Sequence, residues 1–346
     1  MAAAQPNFGI PSEHEASFKA LTQSTQEKVF LSRPESLESR DLCDGISDPP
    51  TLLCVALFAR QFDPDGALKQ FQEACEFREK KHILRLYDSV DISDFEQARQ
   101  FGQKRATYLH VRRGASGQRY RCTLGNVTQE QLLDIYSKSG NGEPPKPDML
   151  QLASVYYDHL VRFVIPLCSM MTDRPNPSVP ATNSIYVVDA SSLGIKQAWG
   201  LRSFAQEISW LLSTCYPETI ERIFVCNAPS YYSTIWRFLK AWVDPRTAEK
   251  IVVLMESEVL PTLREYIDDA NIPANFGGEF QFTHGMLPDL DDNIQQLLNS
   301  GSSKSLPPGP LKWTKDSDGR QTALAVGSKS GSVRNDKIAT LDIIAQ

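Results

Sequence analysis

The sequence predicts an α/β protein in which a small helical domain precedes a larger α/β domain with a mainly parallel sheet. Three observations predict this architecture: an apolar helical pattern over residues 51–100, short apolar strands in the second half of the chain, and helices that alternate with those strands. Residues 1–50 are predicted to be a flexible N-terminal segment, and residues 51–100 to be the helical domain. The α/β domain is predicted over residues 101–290 and a low-complexity tail over residues 291–346.

The helical domain is predicted from its apolar spacing and its capping residues. The chain before it is polar and contains several prolines, apart from a short helix predicted over Phe18 to Phe30. Asp63 and Pro64 suit the N-cap and the first position of a helix, so a helix is expected to begin there. Apolar residues at spacings of three and four then mark its buried face.

The α/β domain is predicted from a change of hydrophobic period after about residue 103. Two strands around a polar loop are expected at Ala106 to Val111 and at Arg119 to Leu124. Met149 to Met171 is a long helix that Pro166 is expected to kink. Strands and helices then alternate: Ser184 to Asp189, Lys196 to Thr214, Ile223 to Cys226, Ser230 to Val243 and Ile251 to Leu254. Short apolar strands joined by helices favour parallel pairing.

Composition excludes several classes of function. The formal net charge of −6 gives no basic footprint for nucleic acid. No apolar run reaches the roughly 18 residues of a transmembrane helix, and the first residues lack the pattern of a secretory signal. The seven cysteines are scattered and mostly lie in apolar surroundings, which is typical of reduced, buried thiols in a cytosolic protein.

No catalytic or metal-binding set is predicted. The five histidines have no metal-ligand spacing, and no nucleophile motif occurs. Asp189 ends a strand and is interpreted as a turn cap. His159, on an apolar helix, is interpreted as a hydrogen-bonded core residue. The sequence therefore predicts a protein that is not an enzyme.

The segment from Asp244 to Lys250 is a candidate phosphate site. Asp244 and Pro245 suit a helix start, and Thr247 and Lys250 lie three residues apart on that turn. A hydroxyl and an ammonium group beside a helix N-terminus can hold a phosphate, although a solvated helix start has the same pattern. Glu218, expected in the first turn of a separate helix, would have to meet Lys250 across the fold.

The helix over Ser230 to Val243 is apolar on nearly every side. Such a helix is normally buried in a core. On a surface it would be a membrane-contact or gating element, since tryptophan and tyrosine suit the interface and Arg237 and Lys240 suit anionic headgroups. Composition leaves both interpretations open.

Five segments, in this order and spacing, resemble the CRAL-TRIO lipid-binding family. The resemblance is strongest to its phosphatidylinositol-transfer branch, the fungal and plant phosphatidylinositol/phosphatidylcholine exchange proteins. It extends from about Leu52 to Phe282. The segments are Phe58-Ala59-Arg60-Gln61-Phe62-Asp63, Tyr216-Pro217-Glu218, Asn227-Ala228-Pro229, Lys240 to Ile251 with its Asp-Pro-x-Thr-x-x-Lys core, and Phe276-Gly277-Gly278.

The resemblance implies an N-terminal helical domain followed by a CRAL-TRIO domain whose sheet is the floor of a hydrophobic lipid cavity. Arg60, Thr247 and Lys250 would contact the inositol phosphate headgroup, and Glu218 would orient Lys250. The expected protein is a cytoplasmic lipid carrier, peripheral on membranes, whose ligand is phosphatidylinositol and which needs no cofactor. Its expected partners are a transient membrane surface and a lipid kinase, without nucleic acid.

Two departures from the family pattern concern the second lipid. Family members that exchange phosphatidylcholine have Ser-x-Thr where this chain has Ser184-Ile185-Tyr186, and the strand near Tyr120 and Cys122 lacks the usual tyrosine and glutamate. The second ligand is therefore expected to be a hydrophobe other than phosphatidylcholine. The predicted cavity and gate residues are Ser184, Tyr186, Tyr231, Tyr232, Ile235, Trp236, Phe238, Leu239 and Trp242.

Two alternatives use the same fold in another way. One is a membrane-associated adaptor that binds lipid without moving it. The other is a haem or isoprenoid binder, in which Tyr186 would be an axial ligand.

Overall fold

The computed structural model describes residues 10–28, 49–96, 108–113, 120–123, 146–173, 177, 181–191, 202–281, 287, 290, 292–298, 305–315 and 320–341. The first described parts of the chain are helical, as the sequence predicts for residues 51–100. Within the described residues these are α1 (Glu15–Glu27), α2 (Pro49–Ala59), α3 (Pro64–Lys80) and α4 (Ile83–Ser89).

The helix α1 packs onto the helical domain. Leu21 is fully buried in a cluster with Leu53 and Leu57 of α2 and Phe71 of α3. The short helix predicted over Phe18 to Phe30 corresponds to α1, and the flexible segment predicted over residues 1–50 does not extend to it, because a single apolar stripe anchors this otherwise polar helix. The predicted start of α3 is confirmed, since the carboxylate of Asp63 accepts a hydrogen bond from the N–H of Asp65.

The central sheet is parallel, as predicted. The strands β1 (Tyr108–Arg113) and β2 (Tyr120–Thr123) form an antiparallel pair beside it. The parallel sheet has the order β3-β4-β5, and its connections carry helices. Its elements are β3 (Ser184–Asp189), β4 (Ile220–Cys226) and β5 (Ile251–Val253).

Seven further helices are described after β2. A capping box begins the long helix: the carboxylate of Asp148 accepts from the N–H of Gln151, whose side chain accepts from the N–H of Asp148. The helices are α5 (Met149–His159), α6 (Ile165–Ser169), α7 (Arg202–Cys215), α8 (Tyr232–Leu239), α9 (Pro245–Glu249), α10 (Glu256–Arg264) and α11 (Asp292–Leu298).

The predicted long helix is continuous from α5 to α6. A π-helical turn, Leu160–Val164, joins them immediately before Pro166. Pro166 has no N–H to donate to the carbonyl four residues earlier, and the wider turn leaves room for its ring. The expected disturbance at Pro166 therefore takes the form of a local change in helical pitch.

The two faces of the parallel sheet have different neighbours. Ile185, Val187 and Phe224 lie on one face and pack against α10 in a closed cluster. The strand register places Tyr186, Ile223 and Ile251 side by side on the other face. On this second face Ile223 and Ile251 are only half-buried. Parallel sheets normally have both faces covered, so this face has incompletely covered apolar surface.

The C-terminal region forms a second sheet. The strands β6 (Leu311–Lys315), β7 (Gln321–Lys329) and β8 (Ser332–Leu341) pair antiparallel in that order. Ser330 and Gly331, both with positive φ, form the tight turn between β7 and β8. The prediction of a low-complexity tail over residues 291–346 is therefore wrong for these strands. Ser330 and Gly331 belong to a stretch whose composition is typical of low-complexity sequence, but here they form a hairpin turn.

This C-terminal sheet belongs to the main core. Trp313 stacks on Phe163 with ring centroids 5.4 Å apart, and its Nε1–H donates to the carbonyl oxygen of Phe163. The N–H of Leu311 donates to Nδ1 of His159 over 3.1 Å. The sheet therefore covers the long helix α5–α6, and His159 is the hydrogen-bonded core residue that the sequence predicts.

Candidate functional site

One pocket gathers the four predicted headgroup residues. It is a cleft, partly open to solvent, between the end of α2, the end of α7 and the turn around α9. Arg60, Glu218 and the neighbouring pair Thr247 and Lys250 come from three separate segments of the chain, and all four residues line it. The other lining residues are Ala59, Leu212, Ser213, Tyr216, Pro217, Ile220, Asp244 and Arg246.

The centre of the pocket is an ion pair between Lys250 and Glu218. The Nζ of Lys250 lies 3.0 Å from Oε2 of Glu218 and donates to the carbonyl oxygen of Ile220 over 2.7 Å. The two side chains are 24% and 36% exposed, so solvent weakens their attraction. The pair therefore contributes little to stability, and its main effect is to fix the position of the ammonium group.

Glu218 lies in a turn. The helix predicted to begin at Pro217 is absent: Tyr216 to Glu218 form the turn from α7 into β4. Glu218 has a φ of 57°, in the left-handed region that a non-glycine residue adopts only when its surroundings hold it. Both ends of this turn are held, because the hydroxyl of Thr219 donates to the carbonyl of Tyr216 and the carbonyl of Thr219 accepts from Ser184.

A buried polar network anchors Tyr216 at the start of that turn. Its hydroxyl lies 2.7 Å from Oδ1 of Asp158, 2.9 Å from the carbonyl oxygen of Ser154 and 2.8 Å from Nη1 of Arg78. Arg78 and Asp158 form a bidentate ion pair with distances of 2.8 and 2.7 Å. Burial and the neighbouring Asp158 raise the pKa of Tyr216 well above its ordinary value. The sequence reasoning missed this network.

Asp244 and Pro245 begin α9 as predicted. The carboxylate of Asp244 accepts from the N–H groups of Arg246 and Thr247, at 3.0 and 3.2 Å. Because that carboxylate occupies these N–H groups, the five-residue helix does not present them to a ligand. The side chains of Thr247 and Lys250 therefore supply the polar contacts. Lys250 is the C-cap of α9, and its N–H donates to the carbonyl of Thr247.

Two arginines flank the pocket. Arg60 is half-buried at the end of α2, and Arg246 is exposed in the first turn of α9. Within the described ranges neither guanidinium forms an ion pair. Arg246 was not predicted, because it stands at an unspecified position of the Asp-Pro-x-Thr-x-x-Lys motif. Its only signal in the sequence is its position next to Thr247.

The aromatic helix covers the open face of the sheet. Tyr232 of α8 is buried against Ala190, Val225 and Ala228, with Trp236 beside it. A single-turn 3₁₀ helix, Lys240–Trp242, follows α8. The predicted gate residue Tyr231 is 43% exposed. The side chains of the other predicted gate residues lie outside the described part of the chain; these are Ile235, Phe238, Leu239 and Trp242.

The two predicted cavity residues of β3 lie on that same sheet face. The hydroxyl of Ser184 donates to the carbonyl of Thr219 over 2.9 Å. Tyr186 is 2% exposed and belongs to the main core cluster together with Leu211 and Leu212 of α7. The Tyr186 ring therefore fills space above the sheet. The side chains of Tyr120 and Cys122 lie outside the described part.

The other sequence predictions have direct outcomes. Oδ1 of Asp189 accepts from the N–H of Ser191 and from Nδ2 of Asn227, which confirms its interpretation as a turn cap. The cysteines whose surroundings are described are reduced thiols: Cys75, Cys168, Cys215 and Cys226. None of the helices in the described ranges combines the length and the apolar character that crossing a membrane requires.

Comparison with known proteins finds a matching domain family and several relatives. The CRAL/TRIO domain model matches residues 135–278. The SEC14 cytosolic factor of Candida glabrata is 30% identical over 258 residues, 75% of this chain and 79% of that protein. The SEC14 cytosolic factor of Kluyveromyces lactis is 25% identical over 256 residues, 74% of this chain and 79% of that protein.

Two further matches differ in what they cover. The phosphatidylinositol/phosphatidylcholine transfer protein SFH11 of Arabidopsis thaliana is 37% identical over 114 residues, 33% of this chain and 29% of that protein. The crystal structure of Sfh5 superposes with a TM-score of 0.52 at 12% identity, over 84% of this chain and 97% of that one, which indicates a shared fold. With 30% identity to a SEC14 factor across three-quarters of its length, the chain belongs to the CRAL/TRIO domain family, in its SEC14-like branch.

Proposed function

We propose that this protein is a lipid carrier that binds phosphatidylinositol and exchanges it between membranes. The observation that carries the proposal is the convergence of Arg60, Glu218, Thr247 and Lys250 on one pocket. Relatives named as SEC14 factors and as a phosphatidylinositol/phosphatidylcholine transfer protein support it.

The headgroup chemistry fits a phosphodiester. Burying part of a phosphate costs free energy unless cations and hydrogen-bond donors replace its water. Arg60 and Lys250 supply the positive charge, and the hydroxyl of Thr247 supplies a further donor. Glu218 keeps the ammonium of Lys250 in place and neutralises part of its charge, so the headgroup is held without being bound too strongly to leave.

The acyl chains require an apolar, closable surface. A two-chain lipid has about 30 methylenes, and exposing each to water costs about 0.8 kcal/mol, so free release would cost on the order of 20 kcal/mol or more. The carrier must therefore open only at a membrane. The half-buried apolar sheet face beneath α8 supports a chain-binding role, with α8 as the gate. Arg237 and Lys240, both exposed on this segment, suit contact with anionic membranes.

The second ligand is proposed to be a hydrophobe other than phosphatidylcholine. Tyr186 occupies buried space where phosphatidylcholine-exchanging relatives have a smaller threonine. The bulk of its ring reduces the room for a choline headgroup. Native mass spectrometry of the protein offered mixed lipids tests this, and equal loading with phosphatidylcholine would contradict it.

Lys250→Ala tests the headgroup assignment. The change removes a charged hydrogen-bond donor, typically worth about 1.5–3 kcal/mol, so phosphatidylinositol transfer between vesicles should fall about ten- to a hundredfold. Lys81→Ala is the matched control, because Lys81 forms an ion pair of similar exposure with Asp148 outside the pocket. Both variants should keep the unfolding midpoint within a few degrees. Transfer by Lys250→Ala at the wild-type rate would refute the assignment.

The alternatives predict different results. An adaptor would bind vesicles without transferring lipid between them. A haem binder would purify with a Soret band, but the packing of Tyr186 among apolar side chains favours a space-filling role. Presentation of the bound headgroup to a lipid kinase belongs to the same proposal and would appear as faster phosphorylation of phosphatidylinositol when the carrier is added.

A further inference from the structure

The pocket is lined by two guanidinium groups in addition to one ammonium group. Arg60 and Arg246 both line it, and in the described part of the chain neither forms an ion pair. The third cation, Lys250, is already held by Glu218 and by the carbonyl of Ile220. An incoming anion therefore meets two guanidinium groups with free donors.

The carboxylates of the pocket are also engaged. Glu218 accepts from the ammonium of Lys250, and Asp244 accepts from two backbone N–H groups. These hydrogen bonds fix both carboxylates in place. Among the described contacts neither carboxylate accepts a hydrogen bond from the guanidinium group of Arg60 or Arg246, so these planar groups remain available for bidentate contact with phosphate oxygens.

The backbone of both arginines is held by hydrogen bonds. The N–H of Arg60 donates to the carbonyl of Leu57, and its own carbonyl accepts from Asp63, each at 3.0 Å. The N–H of Arg246 donates to the carboxylate of Asp244 at the start of α9. Their two positive charges suit two phosphate groups better than one, because a single phosphodiester carries one negative charge.

We propose that Arg246, together with Arg60, makes the pocket a site for inositol headgroups that carry a phosphomonoester in addition to the diester. The ligand class is a monophosphorylated phosphatidylinositol, and a soluble inositol bisphosphate has the same recognition chemistry. This inference rests on the proposed function and extends its ligand class. Arg246 is the residue that discriminates the phosphorylated headgroup from the unphosphorylated one.

The test compares binding of dioctanoyl phosphatidylinositol and its three monophosphate isomers to the full-length protein by calorimetry. At least one isomer should bind several-fold more tightly than phosphatidylinositol. Arg246→Gln should lower affinity for that isomer about tenfold and change affinity for phosphatidylinositol less than twofold. Arg264→Gln is the control, since it removes the same charge from an exposed arginine paired with Asp269 outside the pocket.

The outcomes separate this inference from the proposed function. If phosphatidylinositol binds and no monophosphate isomer binds more tightly, or if Arg246→Gln weakens all the lipids equally, this inference is wrong and the proposed function stands. If none of the lipids binds, the proposed function is wrong as well. Competition with a soluble inositol bisphosphate identifies the source of the ligand. If the soluble compound displaces the bound lipid only at a much higher concentration than the lipid itself requires, the ligand is a membrane lipid. If the two bind with equal affinity, the ligand is a soluble compound of the same chemistry.

Discussion

The hydroxyl of Tyr216 lies 2.7 Å from Oδ1 of Asp158, and the two residues are only 4% and 1% exposed. Tyr216 precedes Glu218 by two residues, and Glu218 holds Lys250 in the pocket. The left-handed backbone of Glu218 is unfavourable by itself and persists because its neighbours are fixed. The buried hydroxyl therefore positions a carboxylate that lies at the surface of the pocket.

Tyr216→Phe should reduce phosphatidylinositol transfer several-fold while the protein remains folded. Arg78 and Asp158 keep their bidentate pair, so the change removes one hydrogen-bonding group without leaving a buried charge unpaired. Loss of a buried hydrogen bond costs about 1–3 kcal/mol of stability. Transfer by vesicle assay and unfolding by urea are measured on the same samples.

Tyr87→Phe is the matched control for that change. Tyr87 is also a fully buried tyrosine, and its hydroxyl donates to the carbonyl oxygen of Leu311, outside the pocket. It should lose similar stability and keep wild-type transfer. If both variants lower transfer to the same extent, the effect of Tyr216 is one of general stability and its positioning role is refuted.

Trp313→Ala should destabilise the protein by about 3–5 kcal/mol, the usual cost of deleting a large buried aromatic side chain. The indole stacks on Phe163 and donates a hydrogen bond to its backbone, so the change removes both packing and a polar contact. Urea unfolding measures the loss. Val333→Ala on the same sheet is the control, because Val333 is 79% exposed and should change stability by no more than about 0.5 kcal/mol. Near-equal stability of the two variants would mean that the C-terminal sheet is not part of the core.

The parts of the fold that the sequence predicts are those fixed by local chemistry. Asp63 and Asp244 cap helices because their carboxylates reach N–H groups two or three residues away. The strand Ile251–Val253 is a short apolar run, and apolar strands joined by helices pair in parallel. Residues this close in sequence interact in almost any context, so their pattern is sufficient to predict these helices and strands.

Local chemistry alone does not predict that the four headgroup residues meet in one pocket. Spacing alone places Thr247 near Lys250, but Glu218 is 32 residues from Lys250 in the chain. The resemblance of the motif supplied that contact. It did not supply Arg246, because family motifs leave that position unspecified.

The features that the sequence did not predict depend on distant contacts. Arg78 and Asp158 are 80 residues apart, and their buried pairing has no local signature. His159 and Leu311 are separated by 152 residues. The three strands after Pro310 were not predicted because this region contains many glycine and serine residues. Composition does not distinguish a hairpin turn from a disordered segment.

Cys226 should resist alkylation in the native protein. Burial, reinforced by the nearby Asp189, raises the pKa of its thiol to about 12. At pH 8 only about one molecule in ten thousand is then the reactive thiolate. Cys75, which is half-buried, should react faster with iodoacetamide, and Cys226 should react only after denaturation. Mass spectrometry of peptides after timed alkylation measures both, and rapid native modification of Cys226 would contradict the buried position of β4.

The alkaline stability of the protein should depend on Tyr232 of the proposed gate. Burial raises the pKa of Tyr232 to about 12, whereas the unfolded phenol has a pKa near 10. Between these values the unfolded state has already lost its proton and the folded state has not. The contribution of Tyr232 is therefore complete below pH 10 and is lost as the pH rises towards 12.

Comparison with Tyr232→Phe isolates this contribution, because the other raised groups are common to both proteins. From pH 9 to pH 11 the free energy of unfolding of the wild type should fall by about 1 kcal/mol more than that of Tyr232→Phe. Urea unfolding at the two pH values measures the difference. Equal falls would mean that α8 leaves the phenol in water, which conflicts with a gate closed over Val225 and Ala228. Opening of the proposed gate would expose the same phenol, so on this proposal alkaline pH should also favour the open state.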